Sequence, residues 1–372
     1  MKILYTNGTL TNSKDPALKQ IEALGHTVLY YDSFVSEKNK RLLISRHFQM
    51  YEDLFDTAER EDVDLIYSAC AIGVPEYFLS ELKVRDKLRA KIIAHASFRE
   101  INRSLARTKV MSELLSMPQF AKMAFTSYFV KDKMFPLNYF KYNFPNEKVI
   151  YLEEPFGMGD DVKDFQTTTT EEARKSLNIK SSEFTCSFFG SWKYSKGADI
   201  FVEALKHIQK DILVILHKTD YNYEKDPDLA ADLINKAVDN HSKILILNDY
   251  LSQKDFARLC FASDVIVSAH RKLYEYSFTG IPVNVAMAKK IFVAPDFFPF
   301  NEIVNRYKMG LTYYPEDPVE LGNAVNSARI IYDNLLNNAE WDKALKDSII
   351  ESDRQALIIK MFTEGRNENY LL

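Results

Sequence analysis

Hydrophobic and polar positions alternate along the chain in a repeating rhythm: a short apolar run rich in β-branched and aromatic residues, then a longer stretch with apolar residues every three or four positions. The runs KILYT, TVLYY, DLIYSA and KIIAHA predict strands, and the stretches between them, Pro16 to Leu24 and a long segment ending at Arg60, predict helices. MAFTSYF and KVIYLEE continue the series to about residue 154. At DDVKDFQTTTTEEARKSLNIKSSEF the rhythm stops; four consecutive threonines and the lack of an apolar period predict a linker with a short helix. A second series follows: TCSFFGS, a helix over 197–209, ILVILHK, a helix over 228–238, KILILND, a helix over 253–262, DVIVSA, a helix over 280–288 and KIFVAP. After LTYYP, the chain from Pro318 to Phe362 is predicted all-helical. Strand–helix alternation of this kind builds parallel sheets covered by helices. The fold class is therefore α/β, with two Rossmann-like, doubly wound parallel-sheet domains: 1–165, 166–340, and a C-terminal helical segment over 341–372.

A chain of 372 residues exceeds one comfortable core and fits two domains. With 46% hydrophobic and 27% charged residues it is globular in composition. The formal net charge of −4 gives no general electrostatic case for nucleic acid or an anionic membrane. Cys70, Cys186 and Cys260 are far apart and each lies in or beside an apolar run, as expected of reduced core thiols in a cytoplasmic protein. The opening run is too short for a signal-peptide core, and no segment approaches 18 uninterrupted apolar residues. Neither GxGxxG after a strand nor GxxxxGK[ST] occurs, which removes the dinucleotide fingerprint and the Walker loop. The seven histidines are scattered and Asp62-Val63-Asp64 precedes its strand, so no metal site is expected.

In open α/β sheets ligands collect beyond the carboxyl ends of the strands. Two stretches stand there. In FFGSWKYSKGADIFVEAL, Gly190 turns the chain out of a strand, Lys193 and Lys196 follow, and a helix opens after Gly197. This could grip a diphosphate or be a plain strand-to-helix turn; spacing alone does not separate the two. In DVIVSAHRKLYEYSFTGIPVNVAMAKKIFVAPD, a polar and aromatic loop precedes Gly280 and a helix of small residues.

Together these stretches resemble the donor-binding segments of family 4 glycosyltransferases. The first looks like their G-R-x(4)-K-G-x-D pattern, and SFTGIPVNVAMAKKIFVAPDFFPFNEIV looks like their E-P-F-G…E-A-M-A…E-I-V pattern. LILNDYLSQKDFARLCFASDVIVSA lies between them, as the corresponding family segment does, and KMGLTYYPEDPVELGNAV follows; the resemblance covers about 184–326 well. It implies a GT-B architecture whose two domains face an interdomain cleft, the C-terminal domain holding a UDP- or GDP-linked sugar and the N-terminal domain the acceptor. The last helices would cross back to the N-terminal domain. No cofactor is implied beyond that co-substrate.

Carried over residue by residue, Lys196 matches the lysine on the donor diphosphate, Gly190 the turn glycine and Gly280 the glycine beside the donor. Phe278, Thr279, Ile281 and Asn284 accompany Gly280 on the donor side. The family arginine falls at Ser191, for which Lys193 or Arg271 could substitute. The two family glutamates fall at Ser277 and Val285, and Glu275, two residues earlier, could replace the first. On the acceptor side, Gly8 follows the first strand and His95 follows KIIA, where it could contact the sugar or orient the acceptor hydroxyl. The resemblance implies transfer to an acceptor glycan, lipid-linked sugar or other hydroxyl, with retention. The alternative is an accessory or carbohydrate-binding protein on the same fold that has lost turnover. The aromatic and lysine-rich stretch 118–148 is a buried strand and helix with solvated lysines, a peripheral membrane contact, or a surface that stacks on nucleobases.

Overall fold

A computed structural model describes residues 1–6, 16–31, 43–71, 75–85, 87–96, 105–127, 149–153, 157–158, 162–190, 192, 194–218, 227–247, 251–275, 279–347, 349–365 and 370–371. The chain divides into two compact units, Met1–Pro155 with Ile349–Leu372, and Phe156–Ser348.

The first unit is built on β1 (Lys2–Thr6), β2 (Thr27–Tyr30), β3 (Leu65–Ala71), β4 (Lys91–Ala96), β5 (Phe120–Ser127) and β6 (Val149–Glu153), each a run that the alternation predicts. The terminal β15 (Tyr370–Leu371) joins them in the order β15-β6-β5-β4-β3-β1-β2, and the pairs are parallel. Because β2 lies on one side of β1 and β3 on the other, the winding reverses between β1 and β3. Thr6 pairs with Ser68 at the carboxyl end of that seam, and both are buried. The C-terminal helix Glu351–Thr363 completes this core. Ile358, Ile359 and Met361 pack with Ile3, Tyr5, Ile21 and Tyr67, and the Tyr67 hydroxyl donates to Gln355. The aromatic and lysine-rich stretch begins as β5, an inner strand whose Phe120 is fully buried; residues 128–148 lie outside the described residues.

The second unit opens with the short β7 (Gly157–Met158), followed by β8 (Thr185–Phe188), β9 (Leu213–His217), β10 (Ile244–Leu247), β11 (Val265–Val267), β12 (Ile291–Pro295) and β13 (Gly310–Tyr313). The two-residue β14 (Ile349–Ile350), which precedes the terminal helix, belongs to the first unit. The parallel sheet has the order β10-β9-β8-β11-β12-β13, so its winding reverses between β8 and β11. The threonine-rich stretch, expected as a linker with one short helix, holds two, Val162–Thr167 and Thr170–Ser176. Thr169 caps the second by accepting from the Glu172 amide, and Phe165, Ala173 and Ile179 sit in the core beside Ile266 and Val285. Three apolar side chains spread over fifteen residues are enough to anchor two short helices but too sparse to register as a period. A helix over Phe300–Tyr307, with Phe300, Ile303 and Val304 buried, was likewise not marked by the alternation.

The amino-terminal ends of this sheet are pinned by a buried ion pair. Arg174 donates to Asp264 at 2.6 Å and to the carbonyls of Ser181 and Glu183, while the same carboxylate oxygen accepts from the Thr185 amide at 2.8 Å. Lys290, almost fully buried nearby, has its pKa lowered to about 8 by burial.

Candidate functional site

The winding reversal between β8 and β11 sets two loops side by side at the carboxyl end of the second sheet, the location where doubly wound sheets bind ligands. One runs from Phe189 to Gly197 and the other from Ser268 to Glu275. Seventy-odd residues separate them in the chain, and strand order makes them neighbours.

The first loop leaves β8 through Gly190 at φ +114°, a backbone conformation that L side chains rarely adopt. Trp192 is buried and its indole N–H donates to the carbonyl of His217 at the end of β9, which fixes the loop to the neighbouring strand. A single 3₁₀ turn, Tyr194–Lys196, then reaches Gly197 at φ +67°. A Cβ at Gly197 would lie 1.9 Å from the carbonyl oxygen of Ala269, so the close approach of the two loops requires glycine there. The helix that follows is shorter than expected, Ala198–Ala204 rather than 197–209, because the chain tightens into turns in which the Lys206 amide donates to Glu203 and the His207 amide to Ala204, while Leu205 and Ile208 stay in the core.

Lys196 points across to the second loop. Its ammonium donates to His270 Nε2 at 2.8 Å and to the Tyr274 hydroxyl at 3.0 Å, and lies 4.3 Å from the centre of the Tyr274 ring. His270 is buried between the rings of Tyr274 and Phe300, and its other nitrogen, Nδ1, is 2.5 Å from Ser268 Oγ. Burial, together with the Lys196 charge, holds the imidazole well below the ordinary histidine range, so the ring is neutral. An ammonium has no lone pair, so Nε2 must be the acceptor and Nδ1 carries the proton that it donates to Ser268. The Tyr313 hydroxyl donates to the Ser268 carbonyl at 3.0 Å, extending the polar chain to the end of β13.

Arg271, weighed in the sequence as a substitute diphosphate cation, is buried and engaged otherwise. It donates two parallel bonds to Asp199, at 3.0 and 2.6 Å, and one to the Tyr194 carbonyl, and stacks 3.8 Å from the Tyr194 ring centre. Glu316 lies 3.5 Å from its Nε. A bidentate guanidinium–carboxylate pair of this kind clamps one loop to the other.

Glu275 caps the turn Lys272–Tyr274, directly after the tyrosine that receives Lys196, and its side chain is half-buried. Thr279 is buried; Gly280 caps the helix Ile281–Ala288 with open space where a Cβ would stand; Ile281 and Asn284 are half-buried on that helix. Val285, at the second aligned glutamate position, is fully buried in the apolar core, where a carboxylate would lack a partner. Ser191, Lys193, Ser277, Phe278 and Gly8 lie outside the described residues, and so does the side chain of His95, whose backbone is in β4. Among the described residues no group of three or more His, Cys, Asp or Glu could hold a metal ion, and no helix is long and apolar enough to cross a membrane. Cys186 and Cys260 are buried and in no disulfide; the Cys70 side chain lies outside the described residues.

Sequence reasoning missed Ser268, His270 and Tyr274. The signal available was the polar tripeptide Ser268-Ala269-His270 directly after an apolar strand, but only the strand order shows that it faces Lys196. The corner thus brings an ammonium, an imidazole and a phenol together at the carboxyl ends of two strands, and an ammonium placed there can neutralise an anionic group.

Comparison with known protein families finds no match, and no curated protein matches. Solved structures do. A glycosyltransferase from Rickettsia africae ESF-5 is 15% identical, with 98% of each chain covered and a TM-score of 0.70. Alr3699/HepE of Anabaena, in complex with UDP, is 16% identical over 98% of this chain and 100% of its own, with a TM-score of 0.69. Sucrose-phosphate synthase from Thermosynechococcus elongatus is 12% identical over 98% of both, with a TM-score of 0.71. The chain has the two-domain GT-B fold.

Proposed function

We propose that the protein is a glycosyltransferase that takes a sugar from a nucleotide-sugar to an acceptor hydroxyl, with the second unit holding the donor and the first the acceptor. The observation that carries this reading is the position of Lys196 at the winding reversal between β8 and β11, seated on His270 and Tyr274. Structures of similar fold were solved with UDP and with UDP-glucose, which makes UDP the first nucleotide to test.

In such a transfer, negative charge builds on the departing diphosphate as the bond to the anomeric carbon lengthens. A fixed cation beside the phosphates lowers the barrier because it meets charge that is greater in the transition state than in the ground state. Lys196 is assigned that role, and Gly190 and Gly280 let the backbone come close to the donor. Arg271 acts indirectly, by clamping Tyr194 and Asp199 so that Lys196 is presented at a constant height. Retention of the anomeric configuration, membership of family 4, a cytoplasmic site of action and peripheral membrane contact through 118–148 belong to the same proposal.

Calorimetric titration with UDP and GDP, followed by a hydrolysis and transfer assay with their sugars, tests it. Lys196→Ala is expected to weaken diphosphate binding by about 1.5–3 kcal/mol, the scale of a charge-assisted contact. Absence of binding by either nucleotide would overturn the enzyme reading, and an unchanged affinity in the variant would remove Lys196 from the site.

A further inference from the structure

We infer that Glu316 is a positioning residue for the proposed donor site: its carboxylate, carried on a strained turn, latches the segment 271–275 and so sets where Tyr274 stands against Lys196. The inference rests on the proposed nucleotide-sugar site and adds to it a residue from a third segment of the chain.

Glu316 lies in the connection from β13 to the helix Pro318–Ile330. The Asp317 amide donates to the Tyr314 carbonyl at 3.3 Å, which closes a four-residue turn, Tyr314-Pro315-Glu316-Asp317. Proline at the second position presets such a turn, and the third position, at φ +63°, is one that glycine or asparagine ordinarily fills. Here it is glutamate. An L side chain held in the left-handed region costs free energy, and a cost kept at one position points to what that side chain does. The following helix does not need it, because Asp317 caps that helix by accepting from the amides of Val319 and Glu320.

The Glu316 carboxylate turns instead to the second loop. Its Oε1 accepts from the Lys272 amide at 3.2 Å, the first amide of the 3₁₀ turn Lys272–Tyr274. Arg271, in the cap position of that turn, makes no side-chain cap bond, so Glu316 supplies the cap from another element. Its Oε2 lies 3.5 Å from Arg271 Nε, a buried nitrogen with no hydrogen bond among the described residues. One carboxylate therefore faces both the cation that clamps the two loops and the amide that starts the turn bearing Tyr274. Arg271 ties its loop to Tyr194 and Asp199 on one side, and Glu316 ties it to the turn after β13 on the other.

An exposed ion pair between two flexible side chains contributes little. This one differs at both ends: the guanidinium is buried and held by Asp199, and the carboxylate is presented from a turn whose proline removes backbone freedom. Without the carboxylate the 3₁₀ turn is free to shift, and the Tyr274 hydroxyl, 3.0 Å from the Lys196 ammonium, shifts with it. Stability and loop position thus depend on different atoms of one residue. Its backbone φ governs the first and its carboxylate the second.

Three variants of the intact protein separate the two, with UDP binding measured by calorimetry and unfolding followed by heat. Glu316→Ala loses the carboxylate and keeps the strain; Glu316→Gly loses both; Glu316→Gln keeps the strain and an oxygen for the Lys272 amide. Glu316→Gly should melt about 2–4 °C above Glu316→Ala, the shift expected when one left-handed side chain is relieved in a unit of this size. Both should nevertheless raise the UDP Kd alike, by about fivefold, the scale of one lost hydrogen bond. Glu316→Gln should stay within about twofold of the wild type. Affinities that follow the melting temperatures, or that keep the wild-type value in both Glu316→Ala and Glu316→Gly, would overturn the inference and leave the nucleotide site standing. If the wild type binds neither UDP nor GDP, the inference falls together with the reading beneath it. Hydrogen exchange gives a check that needs no nucleotide. Amides within 271–275 should exchange about tenfold faster in Glu316→Gly, while those of the helix Pro318–Ile330 keep the wild-type rate. Equal exchange within 271–275 would show that the carboxylate latches nothing.

Discussion

The two ends of the second unit's sheet each hold a cation, and they do so in opposite ways. At the amino-terminal ends of β8 and β11, Arg174 meets the Asp264 carboxylate and a ring of carbonyls, and the Thr185 amide adds to the same carboxylate. At the carboxyl ends of the same two strands, Lys196 meets an imidazole nitrogen and a phenol. The first arrangement matches charge with charge; in the second, an imidazole and a phenol are among the groups that the charge meets. One pair of strands therefore carries a structural pole and, on the proposed function, a binding pole.

The largest test of that contrast is Arg174→Met. Removing one partner of a buried pair leaves Asp264 without its counter-charge, at an expected cost of about 3–5 kcal/mol in unfolding free energy. Urea unfolding measures it, and the nucleotide affinity of the protein that remains folded should not change. A loss below about 1 kcal/mol would mean that the amino-terminal pole is not what holds the strands.

Lys290 sharpens the comparison through pH. Its pKa falls from 10.5 in the unfolded chain to about 8 in the fold, so between those values the unfolded chain keeps a proton that the native protein sheds. Stability contributed by this residue should therefore rise as pH climbs from about 8 to 10.5, and the penalty for burying its charge is complete below pH 8. At about 1.4 kcal/mol per unit, the span is roughly 3 kcal/mol. Lys290→Met should be more stable than the wild type at pH 7, with the difference shrinking through that window; parallel curves would show that the ammonium is not penalised.

Gly197→Ala probes the binding pole. A left-handed alanine costs roughly 1–3 kcal/mol, and its Cβ would press on the Ala269 carbonyl, moving the loop that carries Lys196 relative to His270. Stability and diphosphate affinity should fall together. Gly190→Ala, with no atom within 4 Å of the added Cβ, should lose only the conformational part. Thermal unfolding with UDP titration separates the two.

Much of this was legible in the chain. KIIAHA is β4 residue for residue, Gln253–Ala262 is the helix expected there, and Gly190, Lys196 and Gly197 could be marked as a strand-end turn with a cation. The threonine-rich stretch showed one short helix and not the second, because Phe165, Ala173 and Ile179 acquire their meaning only from the core that receives them. Arg271 shows the same limit at the site: beside Lys196 in any list of cations, it is bound by Asp199 and stacked on Tyr194 once the loops meet.

What the sequence determined by itself are the properties that local geometry records: strand and helix periods, the glycines that permit a positive φ, and the cation that follows a strand. What only the tertiary structure decided is that β8 lies beside β11, and hence that Lys196 rests on His270, 74 residues away. A side chain's direction follows from its own backbone, but its partner follows from the order in which the strands assemble, and no local pattern of residues encodes that order.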